Sequence, residues 1–381
     1  MGKAIKARSR GFFSVHPAGS NQAGQVVLVL QGGGALGAFQ VGAYRALHAA
    51  NITPDWVIGT SIGAINGAII AGNPPERRIE KLEEFWDGVQ QYSGSEMPPL
   101  FSAFGHALAN FSTFMQGIPS FFTPTNNGLL GTHARVGIEH AAFYSTLPLR
   151  ETLAQLVDLN YLNEKHTRLT VGAVSASTGE MRYFDSRDEV ITLDHIMASG
   201  ALPPAFAAVR IDGEPYWDGG IFSNTPIEAV LDDKPRRDSL IFTVNLWNPD
   251  GVEPETLWEV MGREKEIQYA SRAKSHIGRQ QQIHRLRHVI RELAAHVPSK
   301  AAQTPLVKEL ASWGCGTTMH VVPLTAPKRD GEDQLKDIDF TPEGIRIRLQ
   351  AGIAETERIL ALAPWHAPAD PMEGVIVHDN T

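Results

Sequence analysis

The sequence is poor in cysteine: among 381 residues there is one, Cys315. No intrachain disulfide can form, which fits a reducing compartment. Cys315 lies in Gly314-Cys315-Gly316, without a CxxC or Cys/His spacing, and reads as a buried small residue rather than a nucleophile or metal ligand. A basic excess is missing as well. The 34 Lys and Arg residues stand against 42 Asp and Glu, a formal net charge of -8. General nucleic-acid binding needs a surface that neutralises phosphates, so that class is disfavoured. No run of about 18 apolar residues occurs, and no membrane-spanning helix is expected. The first ten residues carry Lys3, Lys6, Arg8 and Arg10, but no apolar stretch follows, so a secretory signal is not expected. These absences favour a cytoplasmic protein, with peripheral contact to a membrane surface as an option.

What is present is an ordinary globular balance, 43% hydrophobic and 20% charged, on a chain long enough for a large α/β core. The run Gln25 to Leu30 is continuous and β-branched, as expected for a strand buried on both faces. The segment Gly32-Gly33-Gly34-Ala35-Leu36-Gly37 follows at once, then a helical pattern from Ala38 to Ala50. A second strand, Asp55 to Ile58, leads into Gly59-Thr60-Ser61-Ile62-Gly63 and a small-residue helix, Ala64 to Ala71. A Gly-x-Ser-x-Gly between strand and helix lifts its serine out of the backbone with a helix N-terminus behind it. Taken together the order is strand, glycine loop, helix, strand, elbow, helix. That is a right-handed start to a parallel sheet.

The glycine loop admits more than one reading. Gly32-x-Gly34-x-x-Gly37 after a strand matches the dinucleotide fingerprint, which wants an acidic residue at the end of the next strand. Here that strand ends in Gly59-Thr60-Ser61, and Asp55 lies at its start. A phosphate-binding P-loop fails, because no Gly-Lys-Ser/Thr follows. An oxyanion hole is the third reading: consecutive glycines let backbone N–H groups point at one spot, and the next helix adds its positive end. A serine elbow on the adjacent strand makes this the most coherent of the three.

Further along, Glu76 to Gln90 reads as an amphipathic helix. Residues 93–131 carry Phe101, Phe104, Phe111, Phe114, Phe121 and Phe122 among Gly, Ser and Pro. They read either as a loop-rich cap or as an apolar lid or acyl-pocket wall. Strands are expected at Leu169 to Ala176, Met181 to Asp185, Ser239 to Leu246 and Met319 to Leu324. A long helix from Leu257 to about His296 carries eight basic residues between 263 and 291, a solvated face or a surface for an anionic partner. Thr341, Pro342 and Glu343 open a helix that runs to about Leu362.

A serine hydroxyl needs a base. Fourteen histidines offer no obvious candidate; His195, which opens a short helix, reads as a capping or packing residue. The conspicuous group is Asp218, in Tyr216-Trp217-Asp218-Gly219-Gly220. It is either part of a plain β-turn or a carboxylate whose basicity is raised by burial beside Trp217 and Phe222.

The glycine loop, then Gly59-x-Ser61-x-Gly63, then Asp218-Gly219-Gly220, in this order, resemble a patatin-like phospholipase domain over about residues 25–232. Ala198-Ser199-Gly200-Ala201-Leu202-Pro203-Pro204-Ala205-Phe206 is similar to the segment that precedes the aspartate in that family. The resemblance implies a Ser–Asp dyad without histidine. Ser61 would be the nucleophile, and Asp218 would take its proton and later activate water. The oxyanion loop would be Gly32, Gly33, Gly34, Ala35 and Gly37, with N–H groups from Gly33, Gly34 and Ala35. No metal or organic cofactor is implied. One departure stands out: where the family commonly has Arg or Lys before the last glycine of the loop, this chain has Leu36. The loss of that cation puts a phosphate-bearing substrate in doubt. The chain beyond residue 232 resembles the extended C-terminal part of some bacterial patatin-like proteins.

The expectation is therefore a three-layer α/β sandwich with a central, mostly parallel sheet and a helical C-terminal extension. Residues 1–24 form a loose arm, 25–232 the catalytic domain with 93–131 as cap or lid, 233–363 the C-terminal part of the same fold, and 364–381 a loose tail. The expected activity is hydrolysis of a lipid acyl ester through an acyl-enzyme. An esterase for non-phospholipid esters or storage polyesters is the alternative within the same chemistry. A lipid- or membrane-binding scaffold without turnover is the alternative outside it.

Overall fold

In the computed structural model, residues 24–91, 117–126, 133–328, 335–368, 370 and 372–378 are described. Among them, nine strands form one sheet: β1 (Gln25–Leu30), β2 (Trp56–Thr60), β3 (Arg168–Ser175), β4 (Met181–Asp185), β5 (Val209–Ile211), β6 (Glu214–Asp218), β7 (Ser239–Asn245), β8 (Met319–Thr325) and β9 (Val375–Val377). The order across the sheet is β9-β8-β7-β1-β2-β3-β6-β5, with β4 also paired to β3. Pairings from β9 to β3 are parallel; β4, β5 and β6 are antiparallel to their neighbours. The mostly parallel sheet of the sequence reading is thus the observed one.

The strands are apolar runs because both faces are covered. Leu28, Leu30, Val57, Phe242 and Val244 point into a core with the helices α1 (Ala38–Ala49), α2 (Ile62–Ala71), α3 (Arg78–Gly88), α4 (Leu147–Leu156) and α5 (Leu193–Ser199). Val27, Val29, Trp56, Ile58 and Ile241 point the other way, against Ile227, Val230 and Leu231 and against Ile277 of α6 (Leu257–Ala295). Each such side chain contributes about 1.5–3 kcal/mol by leaving water, so the alternation fixes the register on both sides. The last helix, α7 (Pro342–Leu362), closes the first face, with Ile345 and Ile359 buried in its core. Its N-terminus is capped as the sequence suggested: Thr341 Oγ1 accepts the N–H of Gly344 at 3.1 Å.

Topology decides where chemistry can sit. From β1 the chain steps to β2 and then β3 on one side; from β7 it steps to β8 and β9 on the other. The loop after β1 therefore lies at the switch point, outside the carboxyl ends of the strands, where open α/β sheets bind ligands. Thr60 at the end of β2 is level with Gly172, and Ala173 is opposite Asp218 on β6. Ser61 and Asp218 thus stand at the same level, with β3 between their strands.

Two expectations change. The tail from Pro364, read as loose, supplies β9, whose Val375 is buried and pairs with Met319. Its pattern is three residues long, too short to register as a strand by periodicity. Cys315 is half-buried rather than buried, with Sγ 3.0 Å from Thr317 Oγ1. Of the Phe-rich segment, residues 93–116 and 127–131 lie outside the described residues. Phe121 and Phe122 are described, and both are buried against the core.

Candidate active site

Ser61 follows β2 directly and has φ 57° and ψ -127°, a region a β-bearing residue adopts only when its surroundings impose it. The imposition is visible. Its N–H is shared at 3.1 Å each between the carbonyl and the hydroxyl of Ser199, and the Ser199 hydroxyl in turn donates to the Gly172 carbonyl at 2.6 Å. Behind it α2 begins, with the Ser61 carbonyl accepting from Ala64 and Ile65. The flanking glycines are required by close approach. A Cβ on Gly63 would meet the Leu30 carbonyl, and one on Gly59 would meet the Gly63 carbonyl. Either would push the elbow away from β1.

Asp218 closes β6. Its backbone N–H donates to the Ala201 carbonyl at 3.0 Å, and its Oδ1 accepts the N–H of Gly220 at 2.7 Å. The side chain is 2% exposed. Burial pushes its pKa up to about 7, against the opposing pull of a hydrogen bond with the Ser61 side chain and of the Gly220 N–H. The burial does not come from Phe222, which is largely exposed. Asp218 pairs with Ala173 inside the sheet, and the following Gly219 packs so tightly on the Gly172 carbonyl that it has no room for a Cβ.

The glycine loop is tied down at its first residue. Gly32 donates its N–H to the Asn224 carbonyl at 3.1 Å, and its carbonyl accepts from Asn224 Nδ2 at 3.1 Å and from Trp247 Nε1 at 2.8 Å. Gly32 therefore lines the site without a free N–H to offer. Gly33 and Gly34 line the same cavity. Gly34 has φ 53°, and the Asp337 carbonyl sits where its Cβ would be. Ala35 is fully buried, and Gly37 packs on Ile62 and Trp86; neither lines the cavity. Leu36 does not line it either. It is buried against Phe39 and Leu246, beside Lys336 and Arg348, so its identity does not set the charge at the cavity.

Ser61, Asp218, Gly33 and Gly34 share a cavity of about 200 Å³ whose far wall is apolar. Phe121, Phe122, Tyr144, Phe206 and Phe340 form that wall, with ring centroids 4.9–6.3 Å apart and mostly edge-to-face or tilted. Among the described residues, no histidine lines it. His195 instead accepts the Thr192 N–H at its Nδ1 and packs at a tilt against Phe184, the capping and packing role read from the sequence. Asp55, the acid a dinucleotide site would want near the glycine loop, accepts the Val26 N–H at the opposite end of β1. Among the described residues there is also no cluster of three His, Cys, Asp or Glu that could hold a metal ion.

Sequence reasoning missed several residues that shape the site. Ser199 and Asn224 sit in stretches that were noticed, but nothing in a single sequence marks them as clamps of the elbow and the loop. Trp247, Tyr269, Asp337, Ile338 and Phe340 also line the cavity. They arrive from more than 180 residues beyond the elbow, and only the sheet order brings them there.

The sequence profile described as patatin-like phospholipase matches residues 28–231, and a second, described as patatin phospholipase, matches residues 267–372. A patatin-like phospholipase domain-containing protein of Caenorhabditis elegans is 42% identical over 59 residues, 16% of this chain. A lysophospholipase of Aspergillus terreus is 59% identical over 46 residues, 12% of this chain. The matched segments span only 5% and 3% of those relatives' own lengths. Among solved structures, VipD from Legionella pneumophila has a TM-score of 0.37 at 16% identity, covering 89% of this chain and 67% of that one. The type III effector protein ExoU has a TM-score of 0.31 at 14% identity, covering 89% and 53%.

Proposed function

The chain belongs to the patatin-like phospholipase family, and we propose that it hydrolyses acyl esters of lipids through a Ser61–Asp218 dyad and a covalent acyl-enzyme. The observation that carries this reading is that Ser61 and a buried Asp218 line one cavity, with burial raising the Asp218 pKa to about 7. A carboxylate of ordinary acidity is too weak a base to activate an alcohol; one held near the working pH is matched to the task.

In the proposed sequence the Ser61 hydroxyl attacks the ester carbonyl as Asp218 takes its proton. The oxygen that gains charge faces Gly33 and Gly34, whose N–H groups are the proposed donors. One such donor is worth on the order of 3 kcal/mol in the barrier. Asp218 returns the proton to the leaving alcohol, and the acyl chain stays on Ser61 against the aromatic wall. Water then enters, loses a proton to Asp218 and releases the acid, which restores both side chains. Ser199 holds the elbow, and Asn224 and Trp247 hold the loop.

The catalytic part is proposed to be residues 25–232. Residues 233–363 complete the same domain, because β7 and β8 continue its sheet and Trp247, Tyr269 and Phe340 complete its cavity. Among the described residues no helix is long and apolar enough to cross a membrane. A cytoplasmic enzyme that meets lipid peripherally is the proposed setting.

The test is hydrolysis of a monoacylglycerol and a lysophospholipid of equal chain length by wild type, Ser61→Ala and Asp218→Asn, each checked for folding. Loss of at least about a thousandfold in both variants is expected. Full activity in either folded variant contradicts the dyad.

A further inference from the structure

Tyr269 is on α6, within the second of the two matched profiles, and it lines the same cavity as Ser61 and Asp218. Its ring stacks on Trp247, with centroids 5.0 Å apart and planes inclined by 28°. Trp247 is itself fixed: the indole N–H donates to Gly32, and its backbone N–H donates to Gln31 Oε1 at 3.0 Å. The Gln31 amide donates in turn to the Tyr269 carbonyl at 3.3 Å and to Thr225 Oγ1 at 2.7 Å. Backbone and ring are therefore both held by the base of the glycine loop. The hydroxyl at the end of this well-anchored ring makes no hydrogen bond among the described residues. A half-buried phenol usually finds a partner, so an unpartnered one in a cavity is a candidate for meeting a ligand.

The donor character is secure. Burial, and after it the charges of Asp218 and Asp337, push the phenol's pKa up to about 12, so it stays neutral and protonated at any working pH. The polar parts of an ester divide naturally around it. The acyl chain has its aromatic wall, the carbonyl oxygen has the glycine loop, and the oxygens left over belong to the alcohol. We propose that the Tyr269 hydroxyl donates a hydrogen bond to an oxygen of the alcohol half of the substrate, and so selects polyol esters such as acylglycerols over esters of simple alkanols. Asp337 strengthens the selection. Its carboxylate, neutralised from behind by Lys265 at 2.6–2.7 Å, is an acceptor for the polyol's own hydroxyls. This inference rests on the lipid hydrolase reading above.

Binding rather than turnover separates the two. A short-chain 1-O-alkylglycerol is an ether that Ser61 cannot cleave. It is titrated against the full-length wild type and Tyr269→Phe, with the alkyl methyl ether of the same chain length as control. Tyr269→Phe keeps the stack on Trp247 and removes one donor. The expected result is about five- to tenfold weaker binding of the alkylglycerol, with no change for the methyl ether. Equal affinity of the two proteins for the alkylglycerol overturns the assignment, as does an equal loss for both ethers or no wild-type preference between them. Turnover of the matching acylglycerol is measured alongside. Selective ether binding without turnover contradicts the hydrolase and leaves Tyr269 in place; turnover with unselective binding contradicts Tyr269 alone.

Discussion

Ser61 and Asp218 line one cavity and stand at the same level on either side of β3, although 157 positions separate them in the chain. Neither partner is free to relax. Ser61 sits at φ 57°, and Asp218 is held by the Gly220 N–H in a nearly sealed position. Such local cost is tolerated where the surrounding structure over-determines it.

The raised pKa of Asp218 gives activity a direction with pH. As the proposed base, Asp218 works when ionised. At pH values below about 7, kcat/KM is expected to fall tenfold per unit, and above it to level off. A pH–rate profile on a neutral ester reads this directly. A profile flat from pH 5 to 8 contradicts the assignment.

The same group sets a stability slope. A carboxyl whose folded pKa lies above its unfolded value binds its proton more tightly in the folded state. Its contribution is therefore complete below the unfolded value, about 3.9, and is lost as pH rises to about 7. Asp218→Asn, which cannot ionise, is expected to raise Tm at pH 8 and to lose that advantage near pH 4. Thermal melts at the two pH values check the sign; the same shift at both contradicts it.

Ser199 is expected to act on rate through geometry. Ser199→Ala removes the hydroxyl that joins the Ser61 N–H to the Gly172 carbonyl. A buried hydroxyl with two partners is worth about 1–3 kcal/mol when lost. The expected outcome is a tenfold or larger fall in kcat with KM little changed. An unchanged kcat in a protein of lowered Tm assigns Ser199 to stability alone.

Much of this architecture was legible in sequence, for a physical reason. Strands buried on both faces must be continuous apolar runs, so β1, β2, β3, β7 and β8 announced themselves. The elbow and the glycine loop did so because close packing leaves only glycine there. Asp218 stood out by its two following glycines. What could not be read was anything that depended on which strands are neighbours. The strand at Val209–Ile211 is three residues long, as is β9. Leu36 looked like a missing cation at the site, and in three dimensions it faces the core. The second half of the cavity comes from α6 and the residues before α7, whose sequence periodicity speaks only of helices.

Leu36 supplies a further prediction. Restoring a cation with Leu36→Arg places a charge in a buried slot already flanked by Lys336 and Arg348. An unpaired buried charge costs several kcal/mol. The variant is expected to be destabilised by at least about 3 kcal/mol in denaturant melts, without gain on phospholipid. A stable variant with new phospholipase activity would return Leu36 to the substrate site.

The central claim is tested most directly by mass analysis after reaction with a fluorophosphonate ester, which phosphonylates only an activated serine. Wild type is predicted to carry one adduct, on the peptide containing Ser61, formed faster at pH 8 than at pH 6. Ser61→Ala is predicted to carry none, and Asp218→Asn to react at least a hundredfold more slowly. An unlabelled, folded wild type, or an adduct on any other serine, contradicts the dyad.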